Sequence, residues 1–233
     1  MSAITINTSS SLPTRMHPGE ARPFGNPAHE EHIVVLGIGN VLWADEGFGV
    51  RCIEALQRDW TFAPHVELID GGTQGLYLIQ NVQSATRLLI FDAIDYGLAP
   101  GTLKLIENDE VPKFMGAKKM SLHQTGFQEV LCLAQFTGHY PAQVLLIGCQ
   151  PEELEDYGGS LRPIVRQALG PALAHGLEAL TAWGAQPLRR ATPLPEDATL
   201  TGAMLTLARY ERERPSAEYA CRKGDDRFIP KGL

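Results

Sequence analysis

The stretch Ile33-Val34-Val35-Leu36-Gly37-Ile38-Gly39-Asn40-Val41-Leu42-Trp43-Ala44-Asp45-Glu46-Gly47-Phe48-Gly49-Val50 decides the fold. Residues 33–36 are an unbroken apolar, β-branched run, the pattern of a strand buried on both faces of a parallel sheet. Val50, Ile53, Leu56 and Trp60 then recur at helical spacing, so a glycine-bearing turn joins strand to helix. Asp45 reads as the N-cap of that helix, with Glu46 in its favourable first turn. In a parallel α/β protein such a turn lies where sites are built, outside the carboxyl ends of the strands. It is not a dinucleotide fingerprint. The third glycine of G-x-G-x-x-G would fall at Leu42, and acidic residues at the helix entrance would repel a pyrophosphate.

Outward from this unit, strands and helices alternate. Strands are predicted at 66–69, 88–91, 102–106 and 144–148, and helices at 75–82, 126–136 and 160–183, the last kinked or divided at Gly170-Pro171. This order implies an α/β chain: a three-layer α/β/α sandwich around a twisted, mainly parallel five-stranded sheet, with room for one antiparallel strand. Residues 1–31 are rich in Ser, Thr, Pro and Gly and read as a disordered leader, 32–183 as the α/β domain, and 184–233 as a C-terminal extension. The extension reads as mobile, its Arg209-Tyr210-Glu211-Arg212-Glu213-Arg214 segment decorating a short solvated helix; a segment that docks a partner is the alternative.

Composition narrows the function. The chain has 233 residues, 44% hydrophobic and 20% charged, ordinary values for a globular protein that can bury a substantial core. A net charge of −7 argues against nucleic acid, leaving a protein or small molecule as partner. Cys52, Cys132, Cys149 and Cys221 are far apart with no C-x-x-C pair, and three lie in apolar segments, so they read as reduced thiols of a cytoplasmic protein. No segment has signal-peptide character or the apolar length to cross a membrane. His29-Glu30-Glu31-His32 has its histidines three apart instead of four and adjoins a Pro-bearing segment, so it is not read as a metal site.

Acidic residues recur at the carboxyl ends of three predicted strands: Asp45-Glu46, Asp70 before Gly71-Gly72-Thr73, and Asp92 in Phe91-Asp92-Ala93-Ile94-Asp95. His123 joins them in Ser121-Leu122-His123-Gln124-Thr125-Gly126, a loop entering a helix. Glu46, Asp92 and His123 would make a mixed O,O,N set suited to a divalent transition metal with positions left open, and Asp70 a supporting carboxylate. No nucleophile elbow, phosphate loop or activated cysteine competes with this reading, and no organic cofactor is implied. His17, His65, His139 and His175 lack comparable acidic neighbours and read as structural or surface groups.

Together, Gly37-x-Gly39-Asn40-x-Leu42-x-x-Asp45-Glu46-Gly47-x-Gly49, Asp70-Gly71-Gly72-Thr73, Asp92-Ala93-Ile94-Asp95-Tyr96-Gly97 and Ser121-Leu122-His123-Gln124 resemble the [NiFe]-hydrogenase maturation endopeptidases over residues 32–183. The tail, especially 209–224, is similar to extensions of the uptake-hydrogenase branch. The resemblance implies removal of a C-terminal peptide from the hydrogenase large-subunit precursor after nickel insertion. It also implies that nickel is supplied by the substrate and contacted by Glu46, Asp92 and His123. A non-catalytic nickel chaperone or checkpoint-binding protein, using the same residues, is the alternative.

Overall fold

The computed structural model describes residues 31–115, 122–200 and 202–216. The elements in chain order are β1 (Ile33–Ile38), α1 (Phe48–Asp59), β2 (Trp60–Thr61), β3 (Val66–Gly72), α2 (Ile79–Ser84), β4 (Arg87–Ala93), β5 (Leu103–Glu107), α3 (Glu110–Met115), α4 (Leu122–Phe136), β6 (Gln143–Cys149), α5 (Pro163–Ala182), β7 (Leu188–Arg189) and α6 (Leu207–Glu213). The main sheet runs β3-β1-β4-β6-β5. Its first four members are parallel, and edge strand β5 is antiparallel to β6.

Alternation along the strands divides the core in two. Ile33, Val35, Leu89 and Phe91 face one way and pack with Phe48, Ile53, Leu56, Val165 and Leu180 from α1 and α5. Val34, Leu36, Ile38, Leu88 and Ile90 face the other way and pack with Val82 of α2 and Phe127, Val130 and Leu131 of α4. The result is the expected three-layer sandwich. The glycines of the opening motif permit its closest approach. A Cβ at Gly49 would lie 2.1 Å from the Phe91 carbonyl oxygen, and one at Gly37 would lie 2.4 Å from that of Gly49. Their spacing therefore seats the first turn of α1 directly on β1 and β4.

Four features depart from the sequence reading. A 3-10 turn, Ala44–Gly47, precedes α1; Trp43 is the N-cap of the turn and Gly47 that of α1, so Asp45 is not a cap. The last long helix begins with Pro163 at its N-terminus and runs undivided through Pro171 to Ala182. Its buried stripe of Val165, Ala168, Ala172, Gly176 and Leu180 holds it on the sheet despite the missing N–H. Helix α3 was not expected, because six residues containing Pro112 show no helical period.

The fourth departure concerns the extension. Instead of being mobile, residues 184–216 fold back along α1, apart from residue 201, which lies outside the described residues. β7 pairs with β2, the Arg190 and Leu194 amides donate to the carbonyls of Asp59 and Arg58, and the Leu200 amide donates to Gln57 Oε1. The Leu207 amide, which opens α6, then donates to Glu54 of α1. Residues 1–30, covering nearly all of the expected leader, and residues 217–233 lie outside the described residues.

Candidate active site

The chain leaves β1 for β3 on one side and returns past it to β4 on the other, so the carboxyl ends of β1 and β4 flank the switch point of the sheet. The turn after β1 carries Glu46, and Asp92 is the penultimate residue of β4. Two of the three expected ligands therefore lie at the carboxyl ends of neighbouring strands.

Asp45 has a different task from its neighbour. Its carboxylate is fully buried and accepts three backbone N–H bonds: Glu152 and Glu153 at 2.9 Å on Oδ2, and Arg162 at 2.7 Å on Oδ1. Its own amide donates to the Glu153 carbonyl at 3.1 Å. Nearby, the Gly158 amide donates to the Leu42 carbonyl and the rings of Trp43 and Tyr157 meet at 5.3 Å. The segment 150–162 is thus stitched to the turn that bears Glu46. Ala44 sits there at φ 35°, a left-handed conformation that an L-residue keeps only where its surroundings hold it. Gly39, at φ 132°, admits the Glu46 carbonyl, which accepts the Asn40 amide.

Asp92 is fully buried, and strand alternation directs it to the α2–α4 face, with Gly148 of β6 as its register partner. Because Gly148 lacks a side chain, the ring of Tyr96 lies over it; a Cβ there would be 2.4 Å from the phenol oxygen. Burial raises the Tyr96 phenol well above its ordinary pKa, and the Asp92 carboxylate and Cys149 push it the same way. Lys104 Nζ stands 4.8 Å from the ring centroid. Gln150 pins the loop that follows Asp92. Its Oε1 accepts the Tyr96 and Leu98 amides, and its Nε2 donates to Asp95 Oδ1 and the Pro151 carbonyl. Cys149 lies close by, but burial, assisted by Asp45, pushes its thiol up to about 12, so it is no thiolate nucleophile at neutral pH.

The other two expected residues separate. His123 is the second residue of α4, the helix layer that covers the Asp92 face; its side chain lies outside the described residues. β3 runs on to Gly72, so Asp70 lies two residues before the strand's end rather than ending it; it sits at the same edge but on the opposite face, alongside Val66 and Leu68, which pack towards α1. Burial raises its carboxyl pKa. The Gly72 amide and then Arg51 act to lower it, while Glu54 raises it. Asp70 therefore looks towards α1 rather than towards Asp92. Among the described residues, no group of three His, Cys, Asp or Glu is arranged to hold a metal ion. His139 and His175 are exposed, as expected of surface groups. His17 and His29 lie outside the described residues, and His32 pairs with Glu67 at 3.2 Å.

Sequence reasoning missed Tyr96, Gln150 and the anchoring role of Asp45. Tyr96 was inside a quoted motif, and Gln150 directly follows β6, so position at a strand end was the available signal for both.

Fold and site together define an open-sheet α/β protein whose switch point presents buried and half-buried acids and, among the described residues, no phosphate loop or cysteine nucleophile. The hydrogenase maturation protease family model matches residues 50–179. The hydrogenase expression/formation protein HoxM of Cupriavidus necator is 65% identical over 201 residues, spanning 86% of this chain and 100% of that one. The hydrogenase 2 maturation protease of Escherichia coli is 40% identical over 159 residues, 68% of this chain and 96% of that one. The solved structure of the hydrogenase maturating endopeptidase HybD from E. coli has a TM-score of 0.65 at 39% identity, covering 69% of this chain and 98% of its own. The chain belongs to the hydrogenase maturation protease family, and its enzyme class is that of an endopeptidase.

Proposed function

We propose that this endopeptidase removes the C-terminal peptide of a [NiFe]-hydrogenase large-subunit precursor after nickel insertion, with the nickel held by the precursor as its recognition element. The observation that carries this reading is the placement of Glu46 and Asp92 on two sides of the switch point, with His123 opening the helix layer over the Asp92 face. A fully buried carboxylate is tolerated where it is paired or coordinates a cation, which suits Asp92 to this role. Two carboxylates and an imidazole leave coordination positions for cysteines of the precursor, so the metal belongs to the substrate. Nickel held by the precursor would fix the scissile peptide beside Glu46 and Asp92 and would supply Lewis-acid polarisation of the carbonyl or water there. Water attacks the carbonyl carbon, a carboxylate of the site takes its proton, the C–N bond breaks, and the leaving amine carries the proton away.

The partner is a protein, in keeping with the net charge of −7, and we place the reaction in the cytoplasm. The free Cys52, Cys132 and Cys149 support a reducing compartment, although Cys132 is exposed rather than buried. Among the described residues, no helix is long and apolar enough to cross a membrane.

Intact-mass analysis of a large-subunit precursor, nickel-loaded or nickel-free, tests the proposal. Loss of a C-terminal peptide from the loaded form alone is expected, and Glu46→Gln, Asp92→Asn and His123→Ala should each abolish it. Equal cleavage of both forms would remove nickel from the account; tight binding without cleavage would favour a checkpoint role.

A further inference from the structure

The docked extension grips both elements that hold the Glu46 turn. On α1, Arg51 and Glu54 form an ion pair at 2.7 Å, each side chain less than a tenth exposed. Both ends of this pair are completed by the extension. Arg51 donates to the Leu205 carbonyl and lies over the Tyr210 ring, while the Glu54 carboxylate accepts the Leu207 amide at 2.9 and 3.2 Å. On the other side, Glu211 accepts the Ser160 hydroxyl at 2.7 Å and pairs with Arg166 of α5 at 2.5 Å. Ser160 lies two residues before Arg162, whose amide is held by Asp45.

We propose that α6 is a brace that ties α1 to segment 150–162 and so holds Glu46 in its working position, with Glu54 and Glu211 as positioning residues. This rests on the reading of Glu46 as a site residue. A buried ion pair is a costly way merely to attach a tail, since an apolar contact would do so without desolvating two charges. A pair whose remaining hydrogen bonds come from two specified backbone groups instead fixes the register of the tail along α1. The turn itself needs outside support, because Ala44 is held in a left-handed conformation. A match of 201 residues with HoxM must reach beyond Trp183 into the extension. The 159-residue match that spans nearly all of the E. coli protease leaves little beyond the body.

The test uses the full chain with Glu211→Ala, Glu211→Gln and the milder Ser160→Ala. Precursor processing is followed under steady state, and amide exchange is read at Glu152, Glu153 and Arg162, the three donors to Asp45. For Glu211→Ala, kcat should fall about tenfold with KM kept within about twofold, since misplacing a reacting group costs rate rather than binding. The three amides should exchange faster at temperatures well below unfolding. Glu211→Gln, which still accepts the Ser160 hydroxyl, should restore most of the rate, and Ser160→Ala should shift both readouts in the same direction by less. A lowered Tm with kcat and exchange unchanged would overturn the brace and leave the extension a mere stabiliser. If the wild-type chain processes no precursor, the proposed function fails, while unchanged exchange at the three amides would separately refute the brace.

Discussion

Replacing Asp45 with alanine removes the buried acceptor of three backbone N–H groups at once. A fully buried donor left unmade costs about 1–3 kcal/mol, so about 3–9 kcal/mol is the ceiling for three, and these bonds are only part-buried. Local relaxation and entry of water bring the expectation towards the lower end, about 4 kcal/mol. For a chain of this length that corresponds to a fall in Tm of roughly 8–16 °C. Asp45→Asn keeps one acceptor oxygen but turns an NH2 group towards a backbone donor, and should cost about half as much. Urea unfolding at neutral pH, with midpoint and slope fitted separately, measures both. A carboxylate that merely capped a helix would cost about 1 kcal/mol on truncation. If Asp45→Ala costs no more than that, the anchoring argument is wrong.

Two further outcomes follow from buried charge and buried phenols. Arg51→Ala leaves Glu54 buried without its counter-charge and should cost about 3–5 kcal/mol, while the joint change to Arg51→Met and Glu54→Leu leaves no buried charge and should cost less, its remaining cost being the lost bonds to the Leu205 carbonyl and Leu207 amide. Limited proteolysis after residue 200 should accelerate in both variants, because each strips the extension of hydrogen bonds to α1. Tyr96 and Tyr140 have phenol pKa values raised mainly by burial, so both phenols stay protonated in the folded state at pH values where the unfolded chain ionises. Their contribution to stability is complete below about pH 10, the unfolded value, and is lost as pH rises towards the folded values. Urea midpoints collected from pH 8 to 11 should therefore fall at the alkaline end, and Tyr96→Phe should flatten part of that fall.

Much of the fold was legible because burial on both faces writes itself into sequence as apolar runs. All six residues of β1 are buried, and the same pattern marks β4 and β6. Asp45 was misread because its local setting, an acid before a helical period, is that of a cap, whereas its three donors lie more than a hundred residues away. The extension was misread for a related reason. Arg51 and Glu54 at i, i+3 on α1 look like a solvated face until the segment that buries them is in place. Asp70 was correctly assigned to the carboxyl edge, but which face of the sheet it occupies depends on strand parity, which emerges only once the register with Gly37 is known.

The anchoring of Asp45 also bears on when the enzyme is completed during synthesis. Its acceptor atoms wait for amides 107, 108 and 117 positions downstream. At roughly 5–20 residues per second, translation alone separates these partners by about 5–20 s. β1 can pair with β3 and β4 in that interval, but the turn bearing Glu46 gains its clamp only after Arg162 has emerged. A nascent chain thus acquires its sheet before it acquires a fixed Glu46 turn, and under the proposed function its activity would wait for the last of these amides.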